Sequence, residues 1–377
     1  MAISINDVQD KLLTLDQVQG MLAPLEAMGE AEFSMGDGAV SFELGDGWNE
    51  GLEERDGAEV TEAKVAIDGN TFQLTKDAAL AASSLVGLSR RYMSVTPGHL
   101  VEPHLNYWYG HEGGYQSWSK NLKLIHRPAS DAETNDVGVA FCRSAMSAYS
   151  MSHMLADAMD CVTKRYGDKA EVLFDRKIQV GIRGTVLRLI VPETERSVSS
   201  KFAEDEGNDP WSAGITLQSS LTGELPLQVS GYMFRYVCTN GATTEHSASA
   251  KHRRQRGEDL DEVYQWVSDE VDAILGSLEG EMQAVEALTN MKLEGEVAAT
   301  LQNLFEQFRV PVGARERITA ELVESDDISA YGVMQAVTEA ANDTELSAGE
   351  VARLMSVGGS IPHVLGGRCP ACHRLQL

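Results

Sequence analysis

Residues 171–191 read EVLFDRKIQVGIRGTVLRLIV, and this stretch decides the predicted fold class. Its apolar side chains recur at every second position, which is the period of a β-strand with one buried face. The predicted face carries Ile178, Val180, Ile182, Val186 and Ile190, and the opposite face carries Gln179, Arg183 and Thr185. We predict companion strands over residues 215–217, 225–229 and 232–238, which are also rich in apolar and β-branched residues.

The period changes to that of a helix after residue 258. A first stripe is formed by Leu260, Val263, Val267, Val271, Ile274 and Leu275. Further helices are predicted over 285–308, 329–341 and 347–355, the last beginning with a capping box of Ser347 and Glu350. The predicted fold class is therefore α+β, with a mixed or antiparallel sheet body and a helical C-terminal subdomain.

The first 170 residues mix both periods. Helices are predicted over 5–30, 80–88, 99–109 and 150–162, and strands over 122–125 and 137–141. Val65, Ile67 and Phe72 flank Asp68-Gly69-Asn70, which predicts a β-hairpin, since Asp and Gly tolerate the positive φ angles of a tight turn.

The net charge of -26 is distributed unevenly. Residues 1–77 carry 17 acidic and 4 basic residues, 78–256 carry 18 and 20, and 257–377 carry 22 and 7. We therefore divide the chain into an acidic N-terminal segment, an α+β core of basic character and a helical C-terminal region at these boundaries. Because acidic surfaces repel phosphate, nucleic-acid contact is expected only in the middle segment. The flanks either serve solubility alone or shield a basic face.

Several features predict a cytoplasmic protein without a membrane partner. The N-terminal sequence MAISINDVQDKLLTLDQ has neither a basic nor an apolar signal region. No uninterrupted apolar window approaches the roughly 18 residues of a transmembrane helix. The five cysteines are too few for a disulfide scaffold, so Cys142, Cys161 and Cys238 are predicted to be buried thiols in a reducing compartment.

The tail Cys369-Pro370-Ala371-Cys372-His373 is a candidate metal site. As a string it matches the pattern for c-type haem attachment, but that chemistry belongs to exported proteins. Zinc is chemically easier, since thiolates and an imidazole are good ligands, with His363 as a possible fourth. The third alternative is an unliganded tail near a frayed C-terminus.

A second candidate is an anion site around the strand end Tyr236 to Gly241. Asn240-Gly241 predicts a tight turn there, and a basic cluster follows. The residues predicted to contact phosphate are Arg183, Arg235, Lys251, Arg253, Arg254 and Arg256. The alternative is an ordinary strand-to-turn junction followed by a solvated helix start. Cys238 could act as a nucleophile with His246 as its base, but the sequence offers no third group that would position them. A nucleophilic role is therefore disfavoured.

Aromatic residues near other arginines could stack on bases or could belong to the core. They comprise Tyr92 after Arg90-Arg91, then Trp108, Tyr109, Tyr115 and Trp118. The chain has no Gly-rich phosphate loop, HExxH or GxSxG, so a non-enzymatic role is favoured over an enzyme with an unrecognised site.

The segment ITLQSSLTGELPLQVSGYMFRYVCTNGATT (215–244) resembles the hallmark of a phage- and plasmid-borne family known as domain of unknown function 932. The family's strand ends in Arg-hydrophobic-Val-Cys-Thr-Asn-Gly, which Arg235 and residues 237–241 match. Residues 87–108 and 331–343 are similar to its helix–Pro–helix segment and its C-terminal helix, and residues 141–150 match more loosely. The acidic N-terminal segment and the CPACH tail depart from the family.

The resemblance implies a setting in phage or plasmid DNA metabolism and no catalytic residues. Together with the charge pattern it favours a non-enzymatic protein that binds nucleic acid, single-stranded DNA in particular, during recombination. The alternative is a protein–protein adaptor or host-takeover factor whose acidic flanks mimic DNA. The oligomeric state is left open.

Overall fold

The computed structural model describes residues 12–36, 38–45, 47–49, 58–110, 121–143, 149–201, 209–236, 240–252, 259–293, 297–341, 346 and 348–365, with the backbone alone for 240–249, 348, 349, 352 and 363. In chain order, the first half contains β1 (Leu12–Leu13), α1 (Leu15–Glu26), β2 (Gly29–Ser34), β3 (Val40–Leu44), β4 (Val60–Ile67), β5 (Asn70–Thr75), α2 (Lys76–Leu85), α3 (Arg90–Val95), α4 (Gly98–Gly110), β6 (Asn121–Arg127), β7 (Val137–Arg143) and α5 (Met151–Tyr166). The second half contains β8 (Leu173–Asp175), β9 (Thr185–Ile190), a short 3-10 helix (Pro192–Thr194), β10 (Arg196–Val198), β11 (Asp209–Ser219), β12 (Leu227–Arg235), β13 (Asn240–His252), α6 (Leu260–Leu288), α7 (Val297–Gln307), α8 (Val312–Glu324), α9 (Ala330–Ala340) and α10 (Ala348–Val364).

The protein has the predicted α+β fold, built on two sheets. The six-stranded sheet has the order β2-β6-β7-β5-β4-β3, and only its β5–β7 pair is parallel. Asp68 (φ 48°) and Gly69 (φ 82°) join β4 to β5 in the hairpin that the sequence predicts. Both residues have positive φ, as this turn requires. One face of the sheet packs on α2 and α4 around Phe42, Leu74 and Phe141.

The seven-stranded sheet is antiparallel, with the order β1-β8-β9-β11-β12-β13 and with β10 paired to β11 beside this path. The 29-residue helix α6 crosses it. Its buried stripe contains Val263, Val267, Val271, Ile274 and Leu275, as predicted, whereas Leu260 is 39% exposed. The C-terminal helices bury their apolar side chains in the same core as this sheet. The helical region is therefore a layer that packs on the sheet.

The predicted continuous strand over 171–191 is wrong in one respect. The structure has two strands, β8 and β9, separated by residues 176–184. Gly184 N donates to Gly181 O (3.1 Å), and the Lys177 N–H donates to the Asp175 carboxylate (2.9 Å), so the chain turns here. In β9, Leu187 and Leu189 face the helices while Ile190 is buried on the opposite face. Because side chains on both faces of β9 are buried, apolar and polar residues do not alternate along it. A period-two pattern therefore cannot show which face each side chain lies on.

The strand predicted over 232–238 also ends earlier. β12 stops at Arg235, and Asn240 and Gly241 are the first residues of β13, where they pair with Arg235 and Phe234. The predicted tight turn at Asn240-Gly241 is therefore wrong, because these residues continue the sheet on the return strand. Residues 237–239, including Cys238, and the capping residue Ser347 lie outside the described residues.

The two sheets meet along a small apolar contact. Ile125, Ala140 and Cys142 of the six-stranded sheet pack with Ile182 and Leu221 of the other half. The charge boundary at residue 77 falls inside α2, so the charge segments do not coincide with the layers of the fold. Cys142 is buried as predicted, while Cys161 is only half-buried. Among the helices in the described ranges, none combines the length and apolar character needed to span a membrane.

Candidate nucleic-acid interface

Arg235 lies inside the fold. Its Nε atom donates to both carboxylate oxygens of Asp209 (2.9 and 2.7 Å), and the two side chains are 12% and 10% exposed. Tyr331 and Gln335 of α9 also donate to Asp209 Oδ2, and Trp211 Nε1 donates to the Tyr331 hydroxyl (2.7 Å). Burial raises the pKa of Asp209, although Arg235 opposes the shift. This network ties β11 and β12 to α9, and little of the Arg235 guanidinium is accessible to a phosphate.

Arg183 lies at the surface between the two halves of the molecule. Its guanidinium is within 3.6 Å of Asp77 Oδ2 and within 3.3 Å of Glu224 Oε1. All three side chains are substantially exposed, so these ion pairs are weak. A phosphate at Arg183 would nevertheless have to approach two carboxylates.

Lys251 is the exposed cation at the end of β13, where it pairs in register with Gln228. The adjacent His252 faces the helices, with its ring 5.1 Å from that of Trp266 and 6.3 Å from that of Tyr149. Arg253, Arg254 and Arg256 lie outside the described residues, as does the side chain of Asn240. Of the predicted phosphate contacts, the described structure thus leaves Lys251 as the exposed cation without an acidic partner at ion-pair distance.

The predicted zinc ligands Cys369, Cys372 and His373 also lie outside the described residues, together with the side chain of His363. Within the part of the chain that the structure describes, no group of three or more His, Cys, Asp or Glu side chains is arranged to hold a metal ion. The tail site therefore stays a prediction.

A surface on α3 and α4 carries the aromatic and basic residues that sequence reasoning only partly identified. We define the α3–α4 surface by Arg90, Arg91, Tyr92, Val95, His99, Leu100, His104 and Tyr107. Leu100, His104 and Tyr107 recur at positions i, i+4 and i+7, so they line one side of α4. Val95, Leu100 and Tyr107 are 68%, 52% and 56% exposed. Tyr109 belongs to the core instead, and Tyr115 and Trp118 lie outside the described residues.

Aromatic rings on this surface are held by their neighbours. The Tyr92 hydroxyl is 3.1 Å from His104 Nδ1, and the two rings are stacked at 6.0 Å with an angle of 23°. The Tyr107 and Trp108 rings make an edge-to-face contact, with their centroids 5.1 Å apart. These contacts reduce the side-chain freedom that binding would otherwise remove.

The opposite side of α4 is fixed to the six-stranded sheet. Asn106 accepts from Phe42 N (2.6 Å) and donates to Phe42 O (3.0 Å), and Glu102 accepts from Leu44 N (2.9 Å). Gly98 lies so close to this strand that an added Cβ would come within 2.9 Å of Leu44 O. The free edge of β3 is thereby capped, and α4 presents its outer side on a rigid support.

The segment 89–110, which carries this surface, differs in charge from the whole protein. Residues 89–110 contain two arginines and one acid, Glu102, and that carboxylate is turned inward to β3. A surface that carries both aromatic rings and arginines suits stacking on bases combined with attraction to phosphate. The helical spacing of Leu100, His104 and Tyr107 was the sequence signal that could have located this surface.

Comparison of the chain with models of protein families, with curated proteins and with solved structures finds no match.

Proposed function

We propose that this protein binds single-stranded nucleic acid without catalysing a reaction, and that the α3–α4 surface makes the contact. The observation that carries the proposal is the exposure of Tyr107, His104 and two arginines, with half-buried Tyr92 stacked on His104, on a rigid helix pair whose one acid faces inward. Bases stack on aromatic side chains irrespective of sequence, and arginine attracts the backbone. Single-stranded DNA in a bacterial cytoplasm, during phage or plasmid recombination, is the setting that the family resemblance favours.

The dimensions of the α3–α4 surface fit a short segment of single-stranded nucleic acid. Leu100 and Tyr107 are seven residues apart, which corresponds to about 10 Å along a helix. Stacked nucleotides rise by about 3.4 Å, so roughly three bases would lie along this side of α4. The net charge of -26 opposes binding, and we therefore expect micromolar affinity at low salt and a steep loss as salt rises.

The test is a fluorescence-anisotropy titration against a labelled single-stranded oligonucleotide at low and moderate salt. Replacing Tyr107 by alanine is expected to weaken binding by about 1–3 kcal/mol, since one stacking base loses its platform. Arg90→Ala with Arg91→Ala is expected to weaken binding and flatten its salt dependence. The matched controls are Val312→Ala for an exposed apolar residue and Arg196→Ala for an exposed arginine outside the predicted phosphate contacts. Equal losses in the controls, or no binding by the unaltered protein at low salt, would contradict the proposal.

The basic cluster at the end of β13 makes a separate prediction. Replacing Lys251, Arg253, Arg254 and Arg256 by alanine is expected to weaken binding at low salt with little change in the thermal midpoint. Each lost phosphate contact should reduce the slope of log K against log salt by about 0.7. If affinity and slope are both unchanged, the basic cluster does not contact the oligonucleotide. The α3–α4 surface is then the one proposed contact left to test.

The second candidate function is a protein adaptor that engages a basic partner. It is favoured by an acidic groove of about 730 Å³ beside β2 and the β4–β5 hairpin, which is lined by Glu30, Glu32, Asp68 and Asp136 together with His126. This candidate predicts no binding of the oligonucleotide at low salt, but binding of a purified basic DNA-binding protein. Loss of that binding in a Glu32→Gln, Asp68→Asn variant would support the adaptor.

A further inference from the structure

A crevice opens between the two sheets, away from the α3–α4 surface. Its volume is about 140 Å³. The buried side chains of Ile125, Tyr149 and Met151 form its floor, and half-buried Leu221 forms a wall. An apolar cavity of about 150 Å³ in another protein takes up benzene, so this space suits a molecule of one ring.

Two carboxylates stand at the rim of the crevice. Glu26 accepts hydrogen bonds from Ser150 Oγ and Ser152 N (each 3.1 Å) at the N-terminus of α5. Glu30 pairs with Lys123, whose Nζ atom is 2.6 Å from Glu30 Oε1. Both carboxylates are held in place by these contacts. No lysine or arginine is among the described residues that line the crevice.

The electrostatic balance at the rim favours a cation. Lys123 offsets the charge of Glu30, whereas Glu26 has hydrogen-bond donors but no cationic partner within ion-pair distance among the described residues. The rim therefore retains net negative charge from Glu26, reduced in part by the positive N-terminus of α5, to which this carboxylate is hydrogen-bonded. An ammonium group at the rim would be attracted, and a carboxylate would be repelled.

We propose that this crevice is a binding site for a small organic amine, with a ring-sized apolar body against Ile125, Tyr149 and Met151 and its ammonium group beside Glu26. The floor buries the apolar body, which supplies most of the affinity. The rim carboxylate selects the charge. The site is independent of the proposed nucleic-acid contact, since it shares no residue with the α3–α4 surface.

Three probes with the same ring separate the two contributions. Benzylamine, benzyl alcohol and benzoate differ at neutral pH in carrying a positive, zero or negative charge. We expect benzylamine to bind in calorimetric titration or ligand-observed NMR, and benzoate to bind at least about ten-fold more weakly. The Glu26→Gln variant keeps an oxygen that can accept from Ser150 and Ser152, and it should reduce the preference for benzylamine over benzyl alcohol.

Filling the crevice with a larger side chain tests whether benzylamine binds there. Leu221→Trp is expected to abolish benzylamine binding, while Met21→Trp, which adds the same ring at an exposed position of α1, should leave it unchanged. If Leu221→Trp lowers the thermal midpoint, Leu25→Trp fills the space from the half-buried opposite wall. The proposal is overturned if none of the probes binds, if benzoate binds as well as benzylamine, or if binding survives in both filled variants.

Discussion

Replacing Arg235 by alanine is expected to lower the free energy of unfolding by about 3–5 kcal/mol, because it leaves the Asp209 carboxylate buried without its cation. Asp209 is 10% exposed and also accepts from Tyr331 and Gln335. Those neutral donors cannot replace the charge of the guanidinium. Urea denaturation of the full-length protein measures the loss.

Arg183→Ala is the matched control for this experiment, since Arg183 is an exposed arginine paired with two exposed acids. Its removal should change the free energy of unfolding by less than about 1 kcal/mol. Similar losses for the two variants would show that the Asp209 network does not stabilise the fold as the geometry implies. A double variant, Asp209→Asn with Arg235→Met, should recover part of the loss, because no buried charge then remains.

The second large effect is expected when Glu30 is replaced by alanine, which should lower the free energy of unfolding by about 3 kcal/mol. Its partner Lys123 is 2% exposed on β6, on the face that packs toward the other sheet. The ammonium group loses a carboxylate 2.6 Å away and lies too deep for full hydration. The measurement is again urea denaturation at neutral pH.

The Glu30–Lys123 pair is asymmetric, and this gives a sharper test. Glu30 is 35% exposed and can be solvated alone, so Lys123→Met should cost at most about 1 kcal/mol. Glu43→Ala, at an exposed position on the edge strand β3 of the same sheet, should change stability by less than about 0.5 kcal/mol. If Lys123→Met costs as much as Glu30→Ala, the buried ammonium group is not the source of the loss.

Local patterns predicted much of the secondary structure. The stripe over 263–275 became the buried side of α6, and the Asp68-Gly69 turn formed between β4 and β5. These features depend on side-chain periodicity and on backbone φ preferences, which are properties of neighbouring residues. The strand predicted over 171–191 is interrupted because the chain turns at residues 176–184, and in β9 the burial of both faces removes the alternation of apolar and polar residues.

The candidate site depended more on tertiary structure. Arg183 and Arg235 look alike in the sequence, yet one lies among exposed acids and the other is enclosed by Asp209 and α9. Asp209 is 26 residues from Arg235 and 122 from Tyr331. No local pattern relates residues at such separations. Equally, Tyr107 and Tyr109 differ by two positions on one helix, and packing against the sheet exposes the first and buries the second.

The sequence by itself determined the α+β class, the helical C-terminal layer, the main turn of the six-stranded sheet and the concentration of positive charge in the middle segment. Each of these follows from composition or short-range spacing. Only the tertiary structure decided which charges are paired, where β12 and β13 begin and end, and which aromatic rings reach the surface. Burial and ion pairing depend on distance in space, and covalent order constrains that distance only between near neighbours.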